Sequence, residues 1–386
     1  MPQREPTPIR KLRIIHCFRS PVGGIFRHVR DLINEQVKDG HEVGIICDSN
    51  TGGEFEEVLF QEIKPQLSMG LHRLPMNRSI GPRDISVVWK LYRHVKKLNV
   101  DVLHSHGSKG GAYARVIGSL LRLNSKRPAR LYCPHGGSMH YNSDSLGGKI
   151  FFILERLMER ITDRLIFVSN YERDSFFSKV GEAHCQDSLV YNGVAELEFE
   201  PIATQKNATD FIYIGMMRDL KGVDLFLNAL PLVAEKTGKN ISATLVGSGP
   251  DLESYKKLAK NFGSLVETTF HDPMPARDAF GLGRTLVVPS RAESMPYIVL
   301  EALAANRPTI ATRVGGIPEI YGPYASALVQ PDDIDALVST MVGQIQNTQV
   351  QADGDKLSQR IQEQFSVTVM AQSVMDAYHA SLDESD

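Results

Sequence analysis

The chain is poor in cysteine, has no long apolar run and carries almost no net charge. Its four cysteines, Cys17, Cys47, Cys133 and Cys185, lie far apart among 386 residues, with no CxxC pair and no histidine at zinc-finger spacing. That spacing excludes a disulfide scaffold. Each cysteine falls in or beside an apolar run, where a free thiol behaves as a small buried hydrophobe, so a reducing compartment is expected. No stretch approaches the roughly 18 uninterrupted apolar residues of a membrane-spanning helix. The start, MPQREPTPIRKLRIIHCF, lacks the apolar core of a signal peptide, and a cytoplasmic chain is expected. With 43 Lys and Arg against 45 Asp and Glu the net charge is −2, unlike chains that are basic throughout, so no nucleic-acid partner is expected.

What is present is an ordinary globular mixture, 42% apolar and 23% charged. At about 150 residues per domain the length suggests two or three domains. The balanced total hides a split. Residues 1–195 carry 28 basic and 20 acidic side chains, and residues 196–386 carry 15 and 25. Within 72–130 the ratio is 13 basic to 2 acidic, Asp84 and Asp101. Two halves of opposite charge suit two domains with different partners.

Both halves alternate short β-branched or apolar runs with longer helical patterns, the signature of βαβ units and a parallel sheet. In the first half strands are expected at Arg13–Phe18, Val43–Cys47, Val100–His104, Arg130–Cys133, Arg164–Val168 and Leu189–Tyr191. In the second they are expected at Phe211–Ile214, Ser242–Val246, Val266–Phe270, Thr285–Val288 and Thr309–Ala311. The fold class is therefore α/β, with two doubly wound Rossmann-like domains. The first is expected to span 1–195, and the second 196–365 after a polar, acidic join at 196–209. A last amphipathic helix within 366–386 carries Val367, Met370, Val374 and Ala377 on one face.

In open α/β sheets ligands collect beyond the carboxyl ends of the strands, at the topological switch point. Gly23 and Gly24 follow the first strand and open a helix, where bare N–H groups can meet an anion. In the second half Arg218 and Lys221 occupy the loop of FIYIGMMRDLKGVDLF. Two cations there oppose the helix dipole unless an anion such as a diphosphate lies against them. Gly247-Ser-Gly-Pro250 lacks the third glycine of GxGxxG, which disfavours a nicotinamide enzyme. Glu293 lies in the loop before a helix and Glu301 in that helix's second turn, so both carboxylates can reach the ligand end and accept hydrogen bonds from sugar hydroxyls. The N–H groups of Ser294 to Tyr297 offer donors. His135 ends another strand, in CPHGG, and His104 and His106 close a third. No carboxylate or cysteine accompanies these histidines at a metal-site spacing, and no metal is expected.

Taken together, the segment from Glu293 to Glu301, matching an E-x7-E signature, resembles the retaining GT-B glycosyltransferases of glycosyltransferase family 4. Gly23-Gly24, His135-Gly136, Arg218 with Lys221-Gly222, the Gly247 loop and Val314-Gly-Gly-Ile-Pro-Glu319 follow in order, so the resemblance covers essentially the whole length. It implies metal-independent transfer of a sugar from a nucleoside-diphosphate sugar to a glycan or lipid-linked acceptor, as in bacterial surface polysaccharide or glycolipid synthesis. The nucleotide sugar is a co-substrate, and no cofactor is implied. Arg218 and Lys221 would hold the diphosphate, Glu301 the ribose, and Glu293 hydroxyls of the transferred sugar. The Ser294, Met295 and Pro296 backbone would touch sugar and phosphate, with His135 on the sugar and Gly24 near the phosphates. His135, Glu293, Arg218 and Lys221 would form the catalytic set. The last helix would pack back on the first domain. Where glycines usually follow the first glutamate the chain has Ser-Met-Pro, which leaves base and sugar open. A nucleotide-sugar epimerase or a non-catalytic nucleotide-sugar-binding protein of the same fold is the alternative. The basic stretch 72–130 is expected to meet anionic lipid on the inner face of the membrane through Lys90, Arg93, Lys96, Lys97, Arg115, Arg122, Lys126, Arg127 and Arg130. Helix KIFFILERLMERI (149–161) adds an amphipathic stripe that core packing would explain equally well.

Overall fold

The computed structural model describes residues 10–123, 127–137, 141, 143–346 and 354–383; Lys126 lies outside them. The chain forms two compact units, one of Met1–Phe167, Phe177–Ser188 and Ala371–Asp386, the other of Val168–Phe176 and Leu189–Met370.

The first unit is built on strands β1 (Arg13–Phe18), β2 (Glu42–Asp48), β3 (Gly70–Leu74), β4 (Val102–His106), β5 (Ala129–Cys133), β6 (Arg164–Phe167) and β7 (Gln186–Leu189), in the order β3-β2-β1-β4-β5-β6-β7. From β3 to β6 the neighbours pair in parallel. Its helices are α1 (Gly23–Lys38), α2 (Glu54–Ile63), α3 (Arg83–Val95), α4 (Gly107–Arg122) and α5 (Leu146–Glu159); α6 (Asn170–Val180) belongs to both units. Side chains alternate across the sheet. On β2, Ile46 packs with Leu91, Val95 and Ile117, whereas Ile45 and Cys47 pack on the other face with Phe26, Val29 and Phe60. A sheet buried on both faces explains why its strands read as nearly continuous apolar runs.

The second unit carries the parallel strands β8 (Thr209–Ile214), β9 (Ile241–Val246), β10 (Val266–His271), β11 (Gly283–Val288) and β12 (Thr309–Ala311), ordered β10-β9-β8-β11-β12. Around them lie α7 (Val223–Thr237), α8 (Leu252–Ala259), α9 (Ala276–Phe280), α10 (Tyr297–Ala304), α11 (Ile317–Tyr321), α12 (Ile334–Ile345) and α13 (Gly354–Gln364). The last helix, α14 (Val367–Asp383), starts in this unit and belongs to the first from Ala371 onward. Phe226, Leu230 and Val233 of α7 pack with Phe211, Ala243 and Leu245 of the sheet.

The two doubly wound α/β domains are as expected, with local departures. The strand expected at Val100–His104 begins at Val102, because the turn before it extends through Asn99 at φ +48°. It runs on to His106, so both His104 and His106 lie inside it. The strand expected at Leu189–Tyr191 lies at Gln186–Leu189, a partly exposed edge that no apolar run marks. Strand β3 is additional to the expected strands, and the polar helix α13, GDKLSQRIQEQ, buries only Gly354, Leu357 and Ile361.

Candidate active site

Both sheets reverse their winding beside a central strand, β1 next to β4 and β8 next to β11. In each unit the sequence-predicted residues lie beyond the carboxyl ends of strands, after β1 and β5 in the first and after β8, β9 and β11 in the second, where ligands of such sheets bind.

In the second unit the loop after β8 runs through Arg218 and a 3-10 turn, Asp219–Lys221, into α7. Gly222 sits between them at φ +64°, and a Cβ there would lie 2.0 Å from the Pro289 carbonyl oxygen. Only glycine lets the β8 and β11 loops come this close. Gly315, at φ +57°, does the same on the other side, where a Cβ would fall 1.8 Å from the Glu293 carbonyl oxygen. The loop carrying Glu293 is thus clamped between two glycine crossings.

Within that clamp Lys221 Nζ lies 2.6 Å from Glu293 Oε1, and Ser290 Oγ donates to the same oxygen at 2.8 Å. Two residues that the resemblance assigns to different parts of a donor therefore form one ion pair. Glu293 is 8% exposed, and a hydrogen-bonded charge in such a place is held in one position. Arg218 is exposed, and among the described residues no side chain pairs with it. Glu301 is buried in the second turn of α10. Pro296 immediately precedes that helix, whose first turn has no side-chain cap. The Ser294 carbonyl accepts from the Gly316 N–H at 2.7 Å, and the Met295 carbonyl from Asn192 Nδ2 at 2.7 Å. Gly247 follows β9 and donates to the His271 carbonyl at 3.0 Å.

Three supporting residues were not singled out by the sequence. Arg291 makes a two-pronged contact with Asp224, 2.8 and 2.7 Å, and reaches Asp219 at 3.1 Å and Asp332 at 2.7 Å. The hydrogen bonds to Asp224 raise the Arg291 pKa and lower that of Asp224. Asn192 braces the Met295 loop. Glu319, visible in the sequence only as the end of a motif, accepts from the N–H groups of Asn170 and Tyr171 at 2.9 Å and from the Tyr191 hydroxyl at 3.1 Å. Burial, with Glu319 beside it, pushes Tyr191 up to about 12. Arg291 gave no signal in the sequence, because its partners lie 41 to 72 residues away.

In the first unit Gly23 begins α1 at φ +61°, with no side-chain cap before it and no acidic residue in the first turn. The first N–H groups of this 16-residue helix thus lack an intrahelical partner and suit an anion. His135 follows β5 at φ +51°, an uncommon conformation for a residue with a side chain. It does not stand alone. His28 and His106 lie against it and His16 and His104 lie beyond His106; ring nitrogens within the groups His16/His104/His106 and His28/His106/His135 lie within 4.8 Å of one another. Facing nitrogens are joined ring to ring, His16 Nδ1 to His106 Nε2 at 3.1 Å and His106 Nδ1 to His135 Nε2 at 3.0 Å. A cation would have to displace these bonds. Burial lowers four of the rings: His135 to about 3, His16 to about 4, and His104 and His106 well below the usual range.

The basic stretch 72–130 is less free than its composition suggests. Arg115 is buried against Glu155 at 3.0 Å, and Arg122 and Arg130 both bind Asp163, at 2.5 and 2.7 Å. Arg115 and Arg130 are buried and Arg122 half-buried in these ion pairs. Arg83, Lys90, Arg93, Lys96, Lys97 and Arg127 are exposed. Helix α5 is inverted relative to a core helix: it buries Phe152, Glu155 and Glu159, while Leu146, Ile150, Ile153 and Leu157 stand 52 to 80% exposed. Core packing therefore does not account for the stripe. Among the described residues no helix is long and apolar enough to cross a membrane.

Both halves of the chain match known glycosyltransferase families. The family described as Glycosyltransferase Family 4 matches residues 22–196, and that described as Glycosyl transferases group 1 matches residues 208–347. An uncharacterized glycosyltransferase of Methanocaldococcus jannaschii is 24% identical over 372 residues, covering 92% of this chain and 94% of that one. A UDP-Gal:alpha-D-GlcNAc-diphosphoundecaprenol alpha-1,3-galactosyltransferase of Escherichia coli is 22% identical over 317 residues, covering 77% of this chain and 79% of that one. Among solved structures, the sucrose-phosphate synthase of Thermosynechococcus elongatus superposes with a TM-score of 0.75 at 20% identity, over 97% of this chain and 100% of that one. With matching families in both halves and the doubly wound fold in both units, the chain is a GT-B glycosyltransferase.

Proposed function

We propose that the enzyme moves a sugar, with retention of configuration and without a metal, from a nucleoside-diphosphate sugar to a glycan or lipid-linked acceptor. The observation that carries this reading is the Lys221–Glu293 pair, clamped between glycine crossings at the β8/β11 switch point beside an unpaired Arg218. Breaking the anomeric C–O bond leaves an oxocarbenium-like sugar and a diphosphate with one more negative charge. Arg218, Lys221 and the helix amino termini stabilise that charge, and preorganised groups of this kind commonly contribute more to catalysis than any other effect. On arrival of the donor, Lys221 turns from Glu293 to the diphosphate, and Glu293 accepts from sugar hydroxyls. The acceptor oxygen attacks the face from which the diphosphate leaves, and the departing phosphate oxygen takes the acceptor's proton. Glu301 holds the ribose, Ser294 to Pro296 line the sugar and phosphate, Gly247 borders the nucleotide, and Gly23 and Gly24 offer N–H groups to phosphate. His135 contacts the transferred sugar. The family matches favour transfer over an epimerase or a silent binding protein. The test is turnover of a nucleotide-sugar panel by Arg218→Ala and Lys221→Ala: collapse with intact folding supports the assignment, and near-normal turnover in both rejects it.

For the acceptor, the inverted face of α5 supports a lipid-linked substrate met at an anionic bilayer. Its apolar stripe is flanked by the exposed Lys149, Arg156 and Arg160, and α3 exposes Ile85 and Trp89 beside Lys90 and Arg93. Apolar residues inserted at the headgroup level, with cations around them, describe an interfacial helix, and each such charge adds about 1 kcal/mol near anionic lipid. The Escherichia coli galactosyltransferase acts on a diphosphoundecaprenol-linked sugar. Sedimentation with phosphatidylserine-containing vesicles should carry down the wild type and leave Ile150→Asp/Ile153→Asp in solution. Equal recovery of both in the supernatant rejects membrane contact.

A further inference from the structure

The five histidines of the first unit form a connected array, with neighbouring ring centroids 4.1 to 5.4 Å apart. A neutral imidazole has one N–H and one lone pair, so each ring passes a fixed direction to the next. Gln36 of α1 sets that direction. Its Oε1 faces His16 Nε2 at 2.9 Å, and its Nε2 donates to the Tyr378 hydroxyl of α14 at 3.3 Å. A carboxamide oxygen only accepts, so His16 carries its proton on Nε2 and offers Nδ1 to His106 Nε2–H. His106 in turn offers Nδ1 to His135 Nε2–H. On the other branch Tyr378, already an acceptor, donates to His104 Nδ1 at 2.7 Å. The strand register enforces the array: His16 lies opposite His104, and His106 is two residues further along the same face of β4. His135 itself is kept in the left-handed region, a conformation that persists only where the surroundings impose it.

We infer that Gln36 and Tyr378 are positioning residues that, through His16 and His106, fix His135 as a ring with its proton on Nε2 and a bare Nδ1. The ligand group that His135 meets is then a hydroxyl donor of the transferred sugar, not a phosphate or carboxylate oxygen. This rests on the reading that His135 contacts the sugar. The tautomer, however, is a property of the protein alone and can be read without substrate.

The experiment is two-bond proton–nitrogen correlation of the full chain with 15N-labelled histidine, the signals assigned by His135→Gln and His106→Gln. Wild type should show Nε2–H at His16, His106 and His135. Gln36→Leu should lose the single tautomer at His135 and raise the donor KM about tenfold, the size of one hydrogen bond, with a smaller change in kcat. Gln36→Glu, which still accepts from His16 Nε2–H, should retain Nε2–H at His135. Nδ1–H at His135 in the wild type, or an unchanged His135 signal in Gln36→Leu, overturns the inference. So does metal retained at one equivalent after dialysis against chelator, since it would occupy the ring nitrogens. A tautomer change without any change in donor KM supports the relay and removes His135 from the sugar site.

Discussion

The two units share one plan and carry opposite chemistry at its switch points. Among the described residues every histidine except His271 falls in the first unit, and five of them, His16, His28, His104, His106 and His135, make a largely buried array. The second unit places a lysine, a glutamate and a network around Arg291 at the matching ends of β8 and β11. The same topology thus offers a neutral polar wall on one unit and paired ions on the other. Buried rings stay neutral because desolvation disfavours their charge. The ions persist where hydrogen bonds and partial solvent access offset that cost. Under the proposed function, departing negative charge falls to the second unit and sugar hydroxyls to the first.

The contrast breaks most visibly if the ions are removed. Arg218→Ala and Lys221→Ala should each reduce kcat about 10²–10³-fold in a donor-consumption assay, with the melting temperature nearly unchanged. Loss of stability in parallel with activity would make these residues structural.

Glycine separates the two units by a different measure. At Gly315 an added Cβ meets the Glu293 carbonyl at 1.8 Å, whereas at Gly23 it meets nothing within 4 Å, although both have positive φ. Gly315→Ala should cost about 2–4 kcal/mol in urea unfolding, and Gly23→Ala about 1–2 kcal/mol, from the backbone conformation alone. Equal costs would mean that the crossing over Glu293 is not tight.

Acid should discriminate next. His16 falls from 6.5 to about 4 on folding through burial. Between those values the unfolded chain binds more protons than the folded one, so stability rises with pH across the window. This contribution is complete above 6.5 and is lost as pH falls toward about 4, at about 1.4 kcal/mol for each pH unit that separates the two values. Urea unfolding followed at about pH 7 and about pH 5 should show the first unit weakening while the second, which holds none of these buried rings, changes less. Arg291→Ala should have the smallest effect, about 1 kcal/mol: the side chain and Asp224 are 23 and 34% exposed. It should still raise the donor KM by loosening the Asp219–Lys221 turn.

Much of this was legible in the sequence because strands buried on both faces read as apolar runs, and because Gly222, Glu293, Glu301 and Gly315 fall at fixed distances from those runs. Edge strand β3 and the polar helix α13 were not, since neither buries a continuous face. Composition misled at Arg115, Arg122 and Arg130: their acidic partners, Glu155 and Asp163, lie 33 to 41 residues away, outside the segment whose charge was counted. The histidine array was hidden for the same reason. His16, His104, His106 and His135 come from two strands and the loop after a third, and Gln36 and Tyr378 from two helices, 342 residues apart.

The central claim is that the charged switch point of the second unit holds the diphosphate. Titration calorimetry of uridine and guanosine diphosphates into wild type and the Arg218→Ala/Lys221→Ala double variant tests it directly. Each charge-assisted contact is worth about 1.5–3 kcal/mol, so the nucleotide that binds the wild type should bind the double variant at least about 100-fold more weakly. Equal affinity in the two proteins would contradict the claim.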